Sequence, residues 1–507
     1  MSPNREELGK WRALADTGGV LGITSLPDAI DAFLGTPAPK GNPATLRTMA
    51  GEYRKIATDA DRTQADTDKL ATQWLPEVWR GEAACNATDV VTAVAHELDH
   101  TVDVYNKAGG ELDKLAASVE DAQRKHAGSR DPLHRAKNEL GDDFDWARYE
   151  RARTIALPGM DAVLAGIDTA KSAEETAARQ FTDYSTQARA NQLGSGHLSD
   201  SERLVLSQAA VPGGPHADNL ILSHNEAARA NSRLDELPAG ERARFEALLD
   251  NAKSPEEKAY LMKALAAGHP IDKVEQFGGQ INGRDPVWLR DHLTPVYTPD
   301  GDRKPGEETE VTYGCSTTQW EQDGPTCVAS STVTARAMTD PLYSMYLTTG
   351  GHPDDPAQTC PDAFNRRLEA EQRRVYDDNR PWYADNPEWA GGYDGMKRDE
   401  GLEAANEEIG PPTGIEYEHR ELEDAGDRRD VLDEVERAVD EGKPVPVQVT
   451  GDDGGHQMMI VGHEGDMLQI YNPWGELVWV TEDQFVNGGM DAAADGLPNT
   501  DGVHIPK

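Results

Sequence analysis

Cysteine is scarce in this chain. Its 507 residues include only Cys85, Cys315, Cys327 and Cys360. Four thiols without metal-ligand spacing cannot make a disulfide framework or a cysteine zinc site, and nothing in the sequence supports a Cys315–Cys360 bridge. Basic residues are also few, 50 against 91 acidic, for a formal net charge of −41. That imbalance opposes binding to nucleic acid or anionic lipid, so no nucleic-acid partner is expected. Long apolar runs are absent, so no membrane span is expected. The stretch from Met1 to Val20 is charged and polar, unlike a secretory signal peptide. No repeat of solenoid period occurs. The length exceeds what one core holds and predicts about two to four domains.

What is present begins with two long helical patterns. Over residues 43–74, Leu46, Met49, Tyr53, Ile56, Ala60, Thr63, Leu70 and Trp74 alternate in steps of three and four. Residues 82–127 repeat the pattern through Val91, Val94, Leu98, Tyr105, Ala108, Leu112, Leu115, Val119 and Ala122. Narrow apolar seams of this kind predict paired helices. Pro76 and Gly81 lie between them, where one stops a helix and the other lets the chain reverse. The expected object is an antiparallel hairpin.

Trp79-Arg80-Gly81, placed between two seamed helices, resembles the WxG-motif helical hairpins exported by type VII secretion. The resemblance covers residues 40–127. It implies export without a signal peptide, hence a secreted or cell-surface protein that is cytoplasmic beforehand. It also implies a helical-hairpin secretion partner and, for a toxin, an immunity protein. The family's export signal, a tyrosine followed four residues later by an acid, is missing: Gly109 follows Tyr105 and Arg153 follows Tyr149 at that step.

The second helical pattern also contains His96-Glu97-Leu98-Asp99-His100. Histidines four apart on a helix, with a glutamate between, are a zinc-peptidase arrangement. Here the seam through Val94, Leu98 and Thr101 puts His96 and His100 on the opposite, solvent side. A catalytic zinc needs a cleft, a third ligand and an excluding wall. The expectation is a solvated polar face; no metal and no cofactor are expected.

Residues 131–190 continue the helical character, and the N-terminal helical region is taken as 1–192. Breaks at Gly194-Ser195-Gly196 and Val211-Pro212-Gly213-Gly214-Pro215 open a helical connector over 193–297. A turn-rich linker from Thr298-Pro299-Asp300-Gly301 leads to a third domain, 311–507.

In that domain Gly324-Pro325 makes a turn, and Cys327 to Met338 reads as a helix of small residues. Cys327 therefore starts a helix, where the positive end of the dipole lowers a thiol pKa and favours thiolate. Downstream, Asp430 to Glu441 reads as a helix closed by Gly442, amid short strands with turns between them. His456 begins one strand and Asn472 ends the next, so an antiparallel pairing makes them neighbours. Nucleophile, base and orienter are then in place. His463 and His419 compete for the base role; His463 is read as packing.

The order Cys327, His456, Asn472, with a cysteine-to-histidine separation of 129, resembles the papain clan, whose separation is roughly 130–150. Gly455-His456 before an apolar strand, then Asn472-Pro473-Trp474-Gly475, is similar to the calpain and staphopain branches. The resemblance implies an α+β fold with an antiparallel sheet, with Trp474 shielding the Asn–His bond. It implies Gln322 as oxyanion donor, with Gln319 the alternative. Gln322 stands five residues before the cysteine where the clan has six, and Val328 stands where an aromatic is usual. The expected protein is a modular exported effector or toxin with a cysteine peptidase domain acting on a protein or peptide. Deamidation or acyl transfer to an amine uses the same triad. The other readings are a catalytically inactive papain-like binding module and, less favoured, the zinc peptidase. Since all three triad residues follow the linker, 311–507 is expected to fold and act alone.

Overall fold

In the computed structural model the described residues are 5–16, 19–70, 82–141, 145–193, 198, 200–215, 219–299, 304–314, 316–387, 389, 392–452 and 454–507; at 19–24, 68, 82–101, 192, 200 and 201 the backbone alone is described. The chain divides into two units, Met1–Ser185 and Thr186–Lys507. The connector and the sheet domain both lie within the second unit, so the expected three-way partition is finer than this division.

The first unit is helical. Helix Pro43–Lys69 starts at Asn42, whose Oδ1 accepts the N–H groups of Ala44 and Thr45, with Pro43 in the first turn. It packs along helix Glu82–Leu140. Trp79-Arg80-Gly81 lies outside the described residues. The seam on the first helix runs through Ala50, Tyr53 and Ala57, while Met49 and Ile56, expected there, are each 44% exposed. Alanine lets the helices approach closely: a Cβ on Gly109 would lie 3.0 Å from the Ala50 carbonyl oxygen. On the partner, Ala108, Leu112, Val119 and Ala122 are buried as expected, joined by Ala116. Arg47 pairs with Glu120 and Arg54 with Asp113 across the seam. Helix Glu82–Leu140 passes the expected end at 127 and continues through Pro132. Its extension is held by a core of Leu133 and Ala136 with Leu26, Phe33, Tyr149 and Met160. No described helix is long and apolar enough to cross a membrane.

The second unit begins with short helices, among them His224–Glu236, Pro255–Ala266, Ile271–Ile281 and Pro286–Leu293. Their core of Phe245, Tyr260, Leu265 and Phe277 also takes in Met345, from helix Pro341–Thr349. The His292 carbonyl accepts from Ser344 Oγ and Thr348 Oγ1, each at 3.0 Å.

The C-terminal part carries a seven-stranded antiparallel sheet in the order β1-β6-β5-β4-β3-β7-β2. The strands are β1 (Glu308–Glu310), β2 (Tyr417–Glu421), β3 (Val445–Gly451), β4 (Gly454–Glu464), β5 (Met467–Asn472), β6 (Glu476–Thr481) and β7 (Asn499–Pro506). Val447, Met458, Ile470 and Val478 face a core shared with Val431 and Val435 of helix Ala425–Asp440. Met459, Tyr471 and Leu477 belong to a second core with Ala329 and Val333 of helix Cys327–Thr339. With apolar residues on both faces, the inner strands read as nearly continuous hydrophobic runs. The cysteine-bearing helix is thereby fixed against β4.

Candidate active site

Cys327 is the first residue of its helix, which is buried along most of its length. Small residues make that burial workable, and their hydroxyls find partners. Thr334 Oγ1 bonds to Tyr471 OH at 3.0 Å, and Ser331 Oγ accepts from Gln457 Nε2 at 3.2 Å. Gly324, at φ +69°, makes the turn before the helix. The loop ahead of Cys327 is held by Gln372, which was not anticipated. Its Nε2 donates to the Glu321 carbonyl (2.9 Å) and Ser330 Oγ (3.0 Å), and its Oε1 accepts the Asp323 N–H (3.2 Å). The available signal was a glutamine on the apolar stripe Phe364, Leu368, Val375 of helix Pro361–Asp378.

His456 stands near the start of β4 and Asn472 at the end of β5. His456 Nε2 and Asn472 Oδ1 are 2.9 Å apart. The amide cannot be the other way round. Its Nδ2 lies 2.8 Å from the Ala493 carbonyl, which only accepts, and its Oδ1 accepts the Trp474 N–H at 3.2 Å. The proton of neutral His456 is therefore on Nε2, and Nδ1 is left as the base. The Trp474 ring stacks on the imidazole, centroids 4.9 Å apart and planes at 27°. The N–H of Gln457, the residue after His456, favours the thiolate form of Cys327.

Burial pushes the Cys327 thiol up, only partly offset by the backbone N–H groups of Gln457, Val328 and Cys327 itself. Burial likewise lowers the pKa of His456, against the opposing bond to Asn472. The helix start alone predicted a lowered thiol pKa; desolvation is the larger effect here. Both shifts favour the uncharged forms.

Both candidate oxyanion glutamines lie along the Asn472-Pro473-Trp474-Gly475 turn. The Gln322 N–H donates to the Pro473 carbonyl at 2.7 Å. Its side-chain Nε2 donates to the Gly324 carbonyl at 2.8 Å, leaving one N–H of that nitrogen for a ligand. Gln322 Oε1 is buried without a hydrogen-bond partner. Gln319 packs on Gly475, where a Cβ would come within 3.0 Å of its own Cβ.

The remaining candidates lie elsewhere. His463 binds Asp440 (3.3 Å) and the Gly465 carbonyl (3.1 Å), and Asp440 raises its pKa to about 9. With Glu436 and Glu482 it forms a half-buried group whose ligand atoms lie within 4.8 Å of one another. Both ring nitrogens are engaged there, and the bound proton competes with any cation. His419 faces His504 across β2 and β7. His96, Glu97 and His100 lie on helix Glu82–Leu140, and their side chains are outside the described residues. Cys360 is a free thiol, and Cys315 lies outside the described residues.

No protein-family model, curated protein or solved structure matches the chain.

Proposed function

We propose that the C-terminal part of this chain is a papain-like cysteine hydrolase that cleaves peptide bonds, carried behind an exported helical hairpin as an effector. One observation carries the chemical part: the His456–Asn472 bond, whose tautomer is fixed by the amide's other bonds, in a strand whose next residue, Gln457, turns its N–H toward the thiol at a helix start. That is an arrangement of nucleophile, base and orienter.

Reaction begins with the neutral pair. Cys327 Sγ attacks the substrate carbonyl carbon, a C–S bond forms, and the thiol proton passes to His456 Nδ1. The oxygen takes the negative charge and is met by the Cys327 N–H and the remaining Gln322 N–H. The C–N bond then breaks as His456 returns its proton to the leaving amine. Water, deprotonated by the same nitrogen, attacks the thioester and releases the acid and the free thiol. Asn472 holds the ring, and Trp474 covers the hydrogen bond between them.

Cleavage profiling of a whole proteome tests this, with wild type beside Cys327→Ala and His456→Ala. New termini are expected with wild type and with neither variant. A folded wild type that produces no Cys327-dependent termini rejects the peptidase reading.

A further inference from the structure

Four polar side chains run in a row through the interior beneath the cysteine-bearing helix. Ser331 and His504 are fully buried, Gln457 is 2% exposed and Gln448 8% exposed. Val447, Val449 and Met458, beside the glutamines in their strands, are buried and apolar. A buried polar group costs free energy unless it is bonded, and apolar side chains would fill the same space at no such cost. What a bonded row adds is a fixed geometry.

The sheet register builds the row. Gln448 on β3 stands opposite Gln457 on β4, and on its other side opposite Gly502 of β7, two residues before His504. Gln448 Nε2 donates to Gln457 Oε1 at 3.1 Å. Gln457 Nε2 donates to Ser331 Oγ at 3.2 Å, and Ser331 Oγ donates to the Val328 carbonyl at 3.1 Å. At the far end, Gln448 Nε2 and His504 Nε2 are 3.0 Å apart. An amide nitrogen only donates, so the imidazole accepts there and carries its own proton on Nδ1.

The row ends at the nucleophile. Val328 follows Cys327, and Ser331 lies one turn further along the same helix. Gln457 thus grips the helix start through its side chain, while its backbone N–H favours the thiolate form of Cys327. Two glycines make room for this. A Cβ on Gly401, in helix Arg398–Glu408, would lie 3.2 Å from Gln457 Oε1, 3.3 Å from Val328 Cγ1 and 3.5 Å from His504 Nε2. A Cβ on Gly502 would come within 2.7 Å of Gln448 Oε1.

We propose that Gln457 and Gln448, backed by His504, are positioning residues: they hold the Gln457 N–H and the first turn of the cysteine helix in one register, and so set the reactivity of Cys327. The side chains act through Ser331 and the backbone of β4. His456 precedes Gln457 on that strand, so nucleophile and base share one frame. The effect on turnover rests on the hydrolase reading above; the effect on the thiol does not.

The test uses the full chain with Gln457→Met, Gln448→Met and the two combined. Methionine keeps the length of the side chain and removes the amide. Three quantities are read on each variant: the pH profile of Cys327 alkylation by iodoacetamide, the melting temperature, and kcat and KM on a peptide whose cleavage by wild type requires Cys327. The alkylation profile should move up by about half a pH unit, which is about a threefold loss of rate below its midpoint. In the folded enzyme kcat should fall about tenfold with KM little changed, as for a misplaced reacting group. The double variant should be little worse than Gln457→Met, because the bonds act in series. A lower melting temperature with an unmoved alkylation profile and unchanged kcat would make the row packing alone and overturn the proposal. If no cleavage by wild type requires Cys327, the hydrolase reading falls, and the alkylation profile still decides whether the row sets the thiol. Should Gln457→Met fail to fold, Gln448→Met, one strand further from the nucleophile, decides by the same readings.

Discussion

Asn472 Oδ1 lies 2.9 Å from His456 Nε2, and the Asn472 amide is tied to the Ala493 carbonyl on its other side, so the imidazole is held by a group that cannot itself turn. An orienter of this kind transfers no proton, and its loss should slow turnover without abolishing it. Asn472→Ala should lower kcat about ten- to a thousandfold in the folded enzyme. It should also lower the melting temperature, because Asn472 is fully buried and Ala493 loses its donor, a change of about 1–3 kcal/mol. Trp474→Ala should reproduce a smaller share of the rate loss, and Trp474→Phe less again. Turnover per folded molecule, read beside the melting curve, checks this. Unchanged turnover with a lower melting temperature would make the turn purely structural.

The resting protonation of the nucleophile gives a second prediction. Burial lifts the Cys327 pKa and lowers that of His456, so a thiol and an uncharged imidazole are expected at neutral pH. Alkylation of Cys327 by iodoacetamide should climb with pH through and beyond the ordinary thiol range of about 8.5. It should show no plateau between pH 5 and 7. Such a plateau would mean a preformed thiolate–imidazolium pair, with the helix start and the Gln457 N–H outweighing desolvation. Labelling followed by peptide mapping, with Cys327→Ser as the blank, distinguishes the two.

The sequence carried the skeleton of the site but not its clamps. Cys327 at a helix start, His456 near a strand start and Asn472 at a strand end were legible because each sits beside turn residues and apolar runs that locate it. Gln372 and Ala493 were not legible, since one is a single polar residue on an apolar stripe and the other acts through its backbone. The thiol's pKa direction was missed for a related reason: helix position is local, whereas desolvation is set by everything packed around it. In the hairpin, Leu46, Tyr53 and Ala60 lie on the half-buried side as expected, but apolar size drew the reading to Met49 and Ile56, whereas Ala50 and Ala57, one residue C-terminal to each, are the buried ones.

His504 gives a pH dependence of stability. It is fully buried on β7, and burial, followed by nearby His419 and Arg398, lowers its pKa to about 3. The folded state thus refuses a proton that the unfolded chain accepts at about 6.5. The contribution is complete above pH 6.5 and is lost progressively as pH falls toward 3, at up to about 1.4 kcal/mol per pH unit. His224, His292, His419 and His456 are shifted the same way and add to it. His463, raised to about 9, instead gains stability as pH falls to 6.5, so melting temperature should fall between pH 6.5 and 5, and His504→Gln should fall less steeply there. Parallel curves for the two proteins would show that His504 takes up its proton in the folded state.

The last prediction concerns where the proposed hydrolase can be cut free. The linker suggested Val311, yet the contacts run across it. Met345 is buried in the core of the preceding helices. His269 Nε2 meets Asp340 Oδ1 at 2.8 Å, Gln280 Nε2 donates to the Gly351 carbonyl at 2.7 Å, and Gln469 Nε2 on β5 donates to Thr298 Oγ1 at 3.0 Å. A fragment starting at Val311 exposes the apolar face of helix Pro341–Thr349 and strands these buried polar groups, each worth about 1–3 kcal/mol when left without a partner. A fragment from Thr186 to Lys507 keeps all of them. The longer fragment should melt cooperatively and turn over like the full chain, whereas Val311–Lys507 should melt broadly, bind a hydrophobic dye and lose most activity. Helix Pro341–Thr349 directly follows the cysteine helix, so loosening it disturbs the nucleophile as well as the fold. Equal melting and equal kcat/KM for the two fragments would show that the helical layer is a passenger and that the hydrolase ends at its linker.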